Sequence, residues 1–411
     1  VRSMTMQSRP MKIGVFGNFG IGNFGNEATF AAMLDTLKRF RPDAELTCIC
    51  TNPDQVRQDY GLQAVPLNTA GRSPLMRKLS NIWYAIEVVR KLDVLIIPGT
   101  GILNDYCAPP FGLPYTLFRW SLAARLCGTR LALVSIGAGP LHHGLTKWFV
   151  LRSAAMATYR SYRNEFSKNY LAGLGFDVSN DPVYPDLAFA LPIPSAPPQA
   201  APAQRLTVCI GAMHYQGWRG HLETDENIYE TYLGKLRDFA LWLLERGMRV
   251  QLVMGDERDW RAVCDLRQAI SAARPSLPDD LVVVERAAGW QDAFRQLRAA
   301  DIVVATRFHT LVFALMLGKP TISVGYSEYH AELIETMGLG GFAQHSESID
   351  LEVLINQFSE LSSNRAKYEP VIMQRAETAR SMLADQEQKV MHRLFGQSSQ
   401  PLGATKDVAV S

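Results

Sequence analysis

The stretch that most constrains the fold runs from Leu191 to Ala203 and reads Leu-Pro-Ile-Pro-Ser-Ala-Pro-Pro-Gln-Ala-Ala-Pro-Ala. Proline removes a backbone donor and fixes φ, so neither a helix nor a central strand can pass through it. On both sides of it, short apolar runs alternate with longer amphipathic ones. Before the break, 12–16, 45–50, 94–97 and 130–136 read as strands, and 27–40, 78–90, 117–126 and 146–156 as helices. After it, 206–210, 250–254, 281–284, 302–304 and 321–324 read as strands, and 229–246, 259–273, 290–299 and 308–317 as helices. Such alternation specifies parallel sheets covered by helices on both faces. The expected fold is α/β, with two Rossmann-like doubly wound domains facing a cleft. Ligands in such sheets bind beyond the carboxyl ends of the strands. The expected organisation is a loose leader (1–10), an N-terminal domain (11–190), a Pro/Ala-rich linker (191–204), a C-terminal domain (205–345), C-terminal helices (346–395) and a disordered tail (396–411).

Composition excludes some partners. A formal net charge of +2 over 411 residues implies no strongly charged partner. No basic run interleaved with aromatics points to nucleic acid. No apolar segment approaches the roughly 20 residues needed to cross a bilayer, and no early basic-then-apolar segment reads as a signal peptide. A cytoplasmic protein is expected. Phe118, Trp120, Trp148 and Phe149 lie near Arg119, Arg125, Lys147 and Arg152. Packed aromatics with a solvated rim account for this pattern; peripheral contact with the inner face of a membrane is the other reading. The six cysteines form no Cys-x-x-Cys pair and read as small core residues, Cys48 and Cys50 sharing one strand face.

The candidate chemistry sits at strand ends. Gly17 to Ala28 follows the first strand and leads into a helix. Glycine lets backbone N–H groups approach a ligand, and the helix N-terminus adds a positive dipole end. The run contains a literal G-x-G-x-x-G, which invites a dinucleotide reading. Its glycines start late, however, and the next strand ends in Cys50-Thr51-Asn52 with no carboxylate to hold a ribose. It reads instead as a polar binding loop with side chains from Asn18, Asn23, Asn26 and Glu27, a structural turn being the alternative. A second glycine turn, Gly99 to Asp105, places Asn104 and Asp105 at the cleft edge. Asp105 could accept a hydroxyl proton or simply close the turn. A third turn runs from Ser135 to Pro140. Arg163 reads as an anchor for phosphate or carboxylate, or as one half of a salt bridge. Asp186 reads as a turn or hinge residue.

In the second half, Thr306-Arg307-Phe308-His309-Thr310 passes from a strand into a helix. A guanidinium, an imidazole and helix N–H groups are expected to converge there on phosphate or carboxylate, with His309 available as acid or base. Tyr326 and His330 follow the next strand toward the cleft. The loop from Gly211 to His221, with His214 and Trp218, has the make-up of a sugar-stacking loop. No ligand cluster suggests a metal.

Taken in order, Gly17–Glu27, Gly99–Asp105, Ser135–Leu141, Tyr162–Gly175, Thr306–Leu311 and Gly318–Tyr326 resemble the polysaccharide pyruvyl transferase family. The resemblance covers roughly 11–358. It implies an architecture similar to the GT-B glycosyltransferases, and a transferase that takes phosphoenolpyruvate as co-substrate without a cofactor. The product implied is a pyruvate ketal on a hydroxyl pair of a sugar or glycan precursor, a lipid-linked one included. On this likeness, His309 and Asp105 are the catalytic candidates. Arg163, Arg307, His309, Thr310, Tyr326 and His330 would face the donor. Asn18, Asn23, Asn26, Glu27, Asn104, His214 and Trp218 would face the acceptor. The chain departs from the family pattern in three places. Asn26 stands where an Asp is common, Asn164 follows Arg163 where Asp is common, and no lysine lies near Tyr326. A glycosyltransferase using a nucleotide sugar, or a non-catalytic relative, are the alternatives left by the sequence.

Overall fold

The computed structural model describes residues 9–69, 74–105, 108–193, 205–217 and 225–396. Most of the expected leader, linker and tail, and Trp218, lie outside these residues.

The first half contains β1 (Lys12–Gly17), α1 (Phe24–Phe40), β2 (Glu45–Cys50), α2 (Pro53–Tyr60), β3 (Gln63–Pro66), α3 (Pro74–Val89), β4 (Val94–Pro98), α4 (Leu113–Cys127), β5 (Arg130–Ile136), α5 (Gly144–Met156), β6 (Tyr159–Tyr162) and α6 (Glu165–Gly173). Its strands form one parallel sheet in the order β3-β2-β1-β4-β5-β6. Successive residues of a strand face opposite sides. Cys48 and Cys50 accordingly enter one core and Ile49 the other.

The second half contains β7 (Thr207–Gly211), α7 (Glu226–Glu245), β8 (Arg249–Val253), α8 (Trp260–Ala273), β9 (Val282–Val284), α9 (Trp290–Arg298), β10 (Ile302–Ala305), α10 (Phe308–Met316), β11 (Thr321–Gly325), α11 (Glu328–Thr336), β12 (Ala343–His345), α12 (Leu351–Ser363) and α13 (Arg365–Phe395). The sheet order is β12-β11-β10-β7-β8-β9. Counted along the chain, this is the same permutation as in the first sheet, so the molecule is a doubled doubly wound fold.

The elements that the periodicity did not reveal are short or polar. β6 is four residues long and contains Arg160 and Ser161, β3 ends in Pro66, and α2 buries only Val56. The segment after β11, expected only to lead toward the cleft, forms α11. Among the described residues, no helix is long and apolar enough to cross a membrane.

The last helix returns to the first half. Glu387 of α13 accepts from both Arg39 Nη2 (2.8 Å) and Thr36 Oγ1 (2.6 Å) on α1. Gln386 Oε1 accepts from Ser135 Oγ (3.0 Å), and its Nε2 donates to Ser161 Oγ (2.8 Å). Ser135 has φ +49° at an irregularity in the β5–β6 register. A left-handed serine is uncommon, and persists where its surroundings fix it. Here Ser161 and Gln386 hold both its N–H and its hydroxyl.

Candidate active site at the domain seam

The glycine loop after β1 meets the second half directly. Gly22 O accepts from Glu257 N (2.9 Å), Phe24 N donates to Gly255 O (3.3 Å), and Asn23 Nδ2 donates to Asp256 Oδ2 (2.8 Å). Asn23 also caps α1 by accepting from Asn26 N. Glu27 turns back into its own loop, accepting from Gly20 N (2.7 Å), with Tyr60 OH at 3.4 Å. Burial raises the Glu27 pKa, and bonds from Gly20, Ile21 and Tyr60 oppose the rise. The Gly20 and Ile21 N–H groups thus already hold the Glu27 carboxylate. Asn26 Nδ2 donates to Asn18 O (3.2 Å), a bond that a carboxylate at this position could not make. Asn18 Oδ1 accepts from Thr51 Oγ1.

At Gly25 the approach is closest. A Cβ there would stand 1.9 Å from His309 Nδ1. His309 lies in the first turn of α10, and its Nε2 faces Asp186 Oδ2 at 3.4 Å. Arg163 Nη1 lies 3.6 Å from the same oxygen. Arg163, at the end of β6, lies across Gly137, where a Cβ would come within 2.6 Å of Nε. Its guanidinium covers the Phe308 ring at 4.5 Å and the Tyr329 ring at 5.2 Å. Asp186 is deeply buried. Desolvation alone would raise its pKa, but His309 and then Arg163 outweigh this and hold it below the ordinary carboxylate value. Arg163 Nε, Asp186 Oδ2 and His309 Nε2 have no hydrogen-bond partner among the described residues. Beside them, a cavity of about 260 Å³ is walled by Val183, Phe189, Phe308, Leu333 and Met337.

Asp186 carries a contact that sequence reasoning, which read it as a turn or hinge residue, did not expect. It does cap a turn, accepting from Ala188 N (3.0 Å) through Oδ1, but its other oxygen joins Arg163 of the first half to His309 of the second. Its only local signal is an acid leading into the buried run Leu187-Ala188-Phe189.

Arg307 and His309 part company. The Arg307 fork is bidentate on Asp259, Nε to Oδ2 at 2.8 Å and Nη2 to Oδ1 at 2.6 Å. Burial disfavours its charge, but Asp259 more than compensates and drives its pKa further up. Asp259 Oδ1 also accepts from His214 N (3.0 Å). Thr310 is buried next to Gly255. Asp105 braces the third glycine turn, accepting from His142 N (2.6 Å) and His143 N (3.2 Å). Asn104 Nδ2 bonds Gly101 O. Tyr326 packs on Tyr215 and against His330. Burial lowers the His330 pKa to about 3, so the ring is neutral, with Nδ1 3.2 Å from Ser327 O. Asn164 caps α6 by accepting from Ser167 N, as an Asp would.

The family model for polysaccharide pyruvyl transferase matches residues 23–328. The chain belongs to the polysaccharide pyruvyl transferase family. Membership makes it a transferase, with a polysaccharide or glycan acceptor implied by the family. No curated protein matches its sequence. Among solved structures it is similar to Anabaena HepE in complex with UDP-glucose (TM-score 0.63, 14% identity, covering 94% of this chain and 100% of that one). It is also similar to the UDP-GlcNAc 2-epimerase of Neisseria meningitidis bound to UDP-GlcNAc (0.58, 14%, 91% and 100%). A third is the UDP-GlcNAc 2-epimerase of Methanocaldococcus jannaschii (0.60, 11%, 91% and 100%). At these identities the likeness carries the GT-B-like fold and nothing further. In this pyruvyl transferase relative, the family's Arg-x-His motif supplies one arginine tied to Asp259 and one histidine tied to Asp186.

Proposed function

We propose that this protein transfers the pyruvyl group of phosphoenolpyruvate to two hydroxyls of a sugar or glycan precursor, forming a cyclic ketal, in the cytoplasm. The observation that carries this reading is the Arg163–Asp186–His309 cluster at the seam of a fold from the pyruvyl transferase family. Pyruvyl transfer needs a proton for the methylene carbon of the enol and positive charge for the donor's phosphate and carboxylate. His309, with Nε2 facing Asp186, acts as the general acid: it gives a proton to that carbon and leaves a cationic centre at the adjacent carbon. One sugar hydroxyl adds there and releases its proton. Phosphate then leaves with its bridging oxygen, and the second hydroxyl adds and closes the ketal. The hydroxyl protons restore His309 and protonate the phosphate, so the balance closes. Arg163 supplies charge beside the reacting carbon, at a point where its ring contacts with Phe308 and Tyr329 fix its plane. It also stands against Tyr329, in the segment where the family's lysine is missing.

The test is phosphate release from phosphoenolpyruvate with a panel of sugar and glycan-precursor acceptors. Release that requires acceptor and disappears in His309→Ala supports the proposal. Turnover that survives in His309→Ala rejects His309 as the acid, and a thermal shift with UDP-sugars and none with phosphoenolpyruvate rejects pyruvyl transfer in favour of glycosyl transfer.

A further inference from the structure

Helix α4 is apolar on both sides. Leu117, Trp120, Ala123 and Ala124 face inward and are buried. Tyr115, Phe118, Leu122 and Leu126, spaced as one helical stripe, lie on the opposite side, half-exposed or exposed. Leu126 is 66% exposed. The stripe continues onto both neighbours. Trp83 of α3 is 71% exposed, and Trp148 of α5, 45% exposed, packs on Phe118 at 5.1 Å. A surface helix of a water-facing domain carries polar residues along its outer side; this one carries an apolar stripe there, with Arg125 beside its end.

The charge around the stripe has one sign. Between residues 70 and 157 the chain carries ten Lys or Arg and three Asp or Glu, although its overall charge is only +2. Of those acids, Asp105 is buried and Asp93 is paired with Arg9, which leaves Glu87. Arg90 and Lys91 just after α3, Arg125 on α4 and Arg152 on α5 are exposed, and Arg152 lies 5.9 Å from the Trp148 ring. Exposed Trp and Leu within a cationic rim match the interfacial zone of an anionic bilayer, where indole rings sit at headgroup level and each Lys or Arg gains from the negative surface. A second copy of the chain fits poorly, because a two-fold contact would bring the same cations face to face. The first turns of α4 and α5 follow the carboxyl ends of β4 and β5, so the aromatic end of the patch lies at the cleft rim.

We propose that the outer face of α3, α4 and α5 docks this protein onto an anionic lipid surface. Docking there presents the cleft to a sugar carried at the membrane. That last step rests on the proposed acceptor class; the docking itself does not.

The experiment is co-sedimentation of the full chain with vesicles of phosphatidylcholine alone and of phosphatidylcholine mixed with phosphatidylglycerol. Binding is expected to the mixed vesicles only, to fall as salt rises, and to be accompanied by a blue shift of tryptophan fluorescence. Arg125→Gln with Arg152→Gln should weaken it roughly tenfold or more. Leu126→Glu should weaken it independently, with an unchanged melting curve and unchanged phosphate release on a short water-soluble acceptor. No binding to either vesicle, equal binding to both, or a concentration-dependent dimer abolished by Leu126→Glu overturns the proposal. Loss of phosphoenolpyruvate turnover with intact vesicle binding would sink the catalytic reading alone.

Discussion

His309 Nδ1 occupies the space beside Gly25 that any side chain would need: a Cβ on Gly25 would stand 1.9 Å from it. Gly25 belongs to the first turn of a helix in one half and His309 to the first turn of a helix in the other. In an ordinary helix interior, Gly→Ala stabilises by about 1 kcal/mol. Gly25→Ala is expected to reverse that sign, because the halves must part or the imidazole must leave Asp186. The melting temperature and kcat should both fall, kcat by at least about tenfold. Gly234→Ala, in α7 with open space around its Cβ, is the control and should be neutral or stabilising. Equal behaviour of the two variants would refute the close seam.

Asp186 faces both Arg163 and His309 and should matter for both turnover and acid stability. His309→Ala should lower kcat by about 10²–10⁴-fold, the usual span for a general acid–base group. Asp186→Asn should lower kcat by about ten- to a hundredfold, with a smaller change in KM. Because the Asp186 pKa is depressed in the folded state, its contribution to stability is present at neutral pH. That contribution is lost as pH falls below the ordinary carboxylate value toward the depressed one. Wild type should therefore destabilise more steeply than Asp186→Asn in that acid range, as read by urea unfolding at a series of pH values. Parallel curves would count against the ion pair.

His330 predicts a second, separate acid dependence. Burial lowers its pKa from 6.5 to about 3, so between those values the unfolded chain binds a proton that the folded chain does not. Stability must then fall as pH drops through this window, by at most about 1.4 kcal/mol per pH unit from this group. His330→Gln should flatten the curve between pH 6.5 and the onset of carboxylate titration. A variant as steep as wild type there would show that the ring is not held neutral.

Gln386 ties the last helix to the left-handed Ser135. Gln386→Leu keeps the helix but strips partners from the Ser135 and Ser161 hydroxyls. The expected cost is about 1–3 kcal/mol in urea unfolding, the usual penalty for buried polar groups left unpaired. An unchanged midpoint would mean that the two serines satisfy each other without it.

The sheets were legible because each central strand is an uninterrupted apolar run and the proline-rich break separates two such series. The site was only partly legible, since its pairings join distant elements. Arg163 stood out after a small-residue helix, and His309 stood out with Arg307 at a helix start. Asp186 did not, because its partners come from a strand before it and a helix far after it, which leaves no spacing to read. Glu27 and Arg307 were read as ligand-facing, yet each already has an internal counterpart, the Gly20 N–H for one and Asp259 for the other. Periodicity reports which face of an element is apolar; it does not report whether a charge is already answered.

The return of α13 has a consequence for synthesis. The surface of the first half formed by Ala32, Met33, Val134 and Leu187 is met by Leu383, Val390 and Met391 of α13, which are made after the second half. Chains fold from the N-terminus as they emerge. The first half therefore stays open on one side through translation of the whole second half, and closes only when the final helix is free to reach it. Ribosome-bound intermediates of this chain should present that apolar surface to chaperones until α13 has emerged.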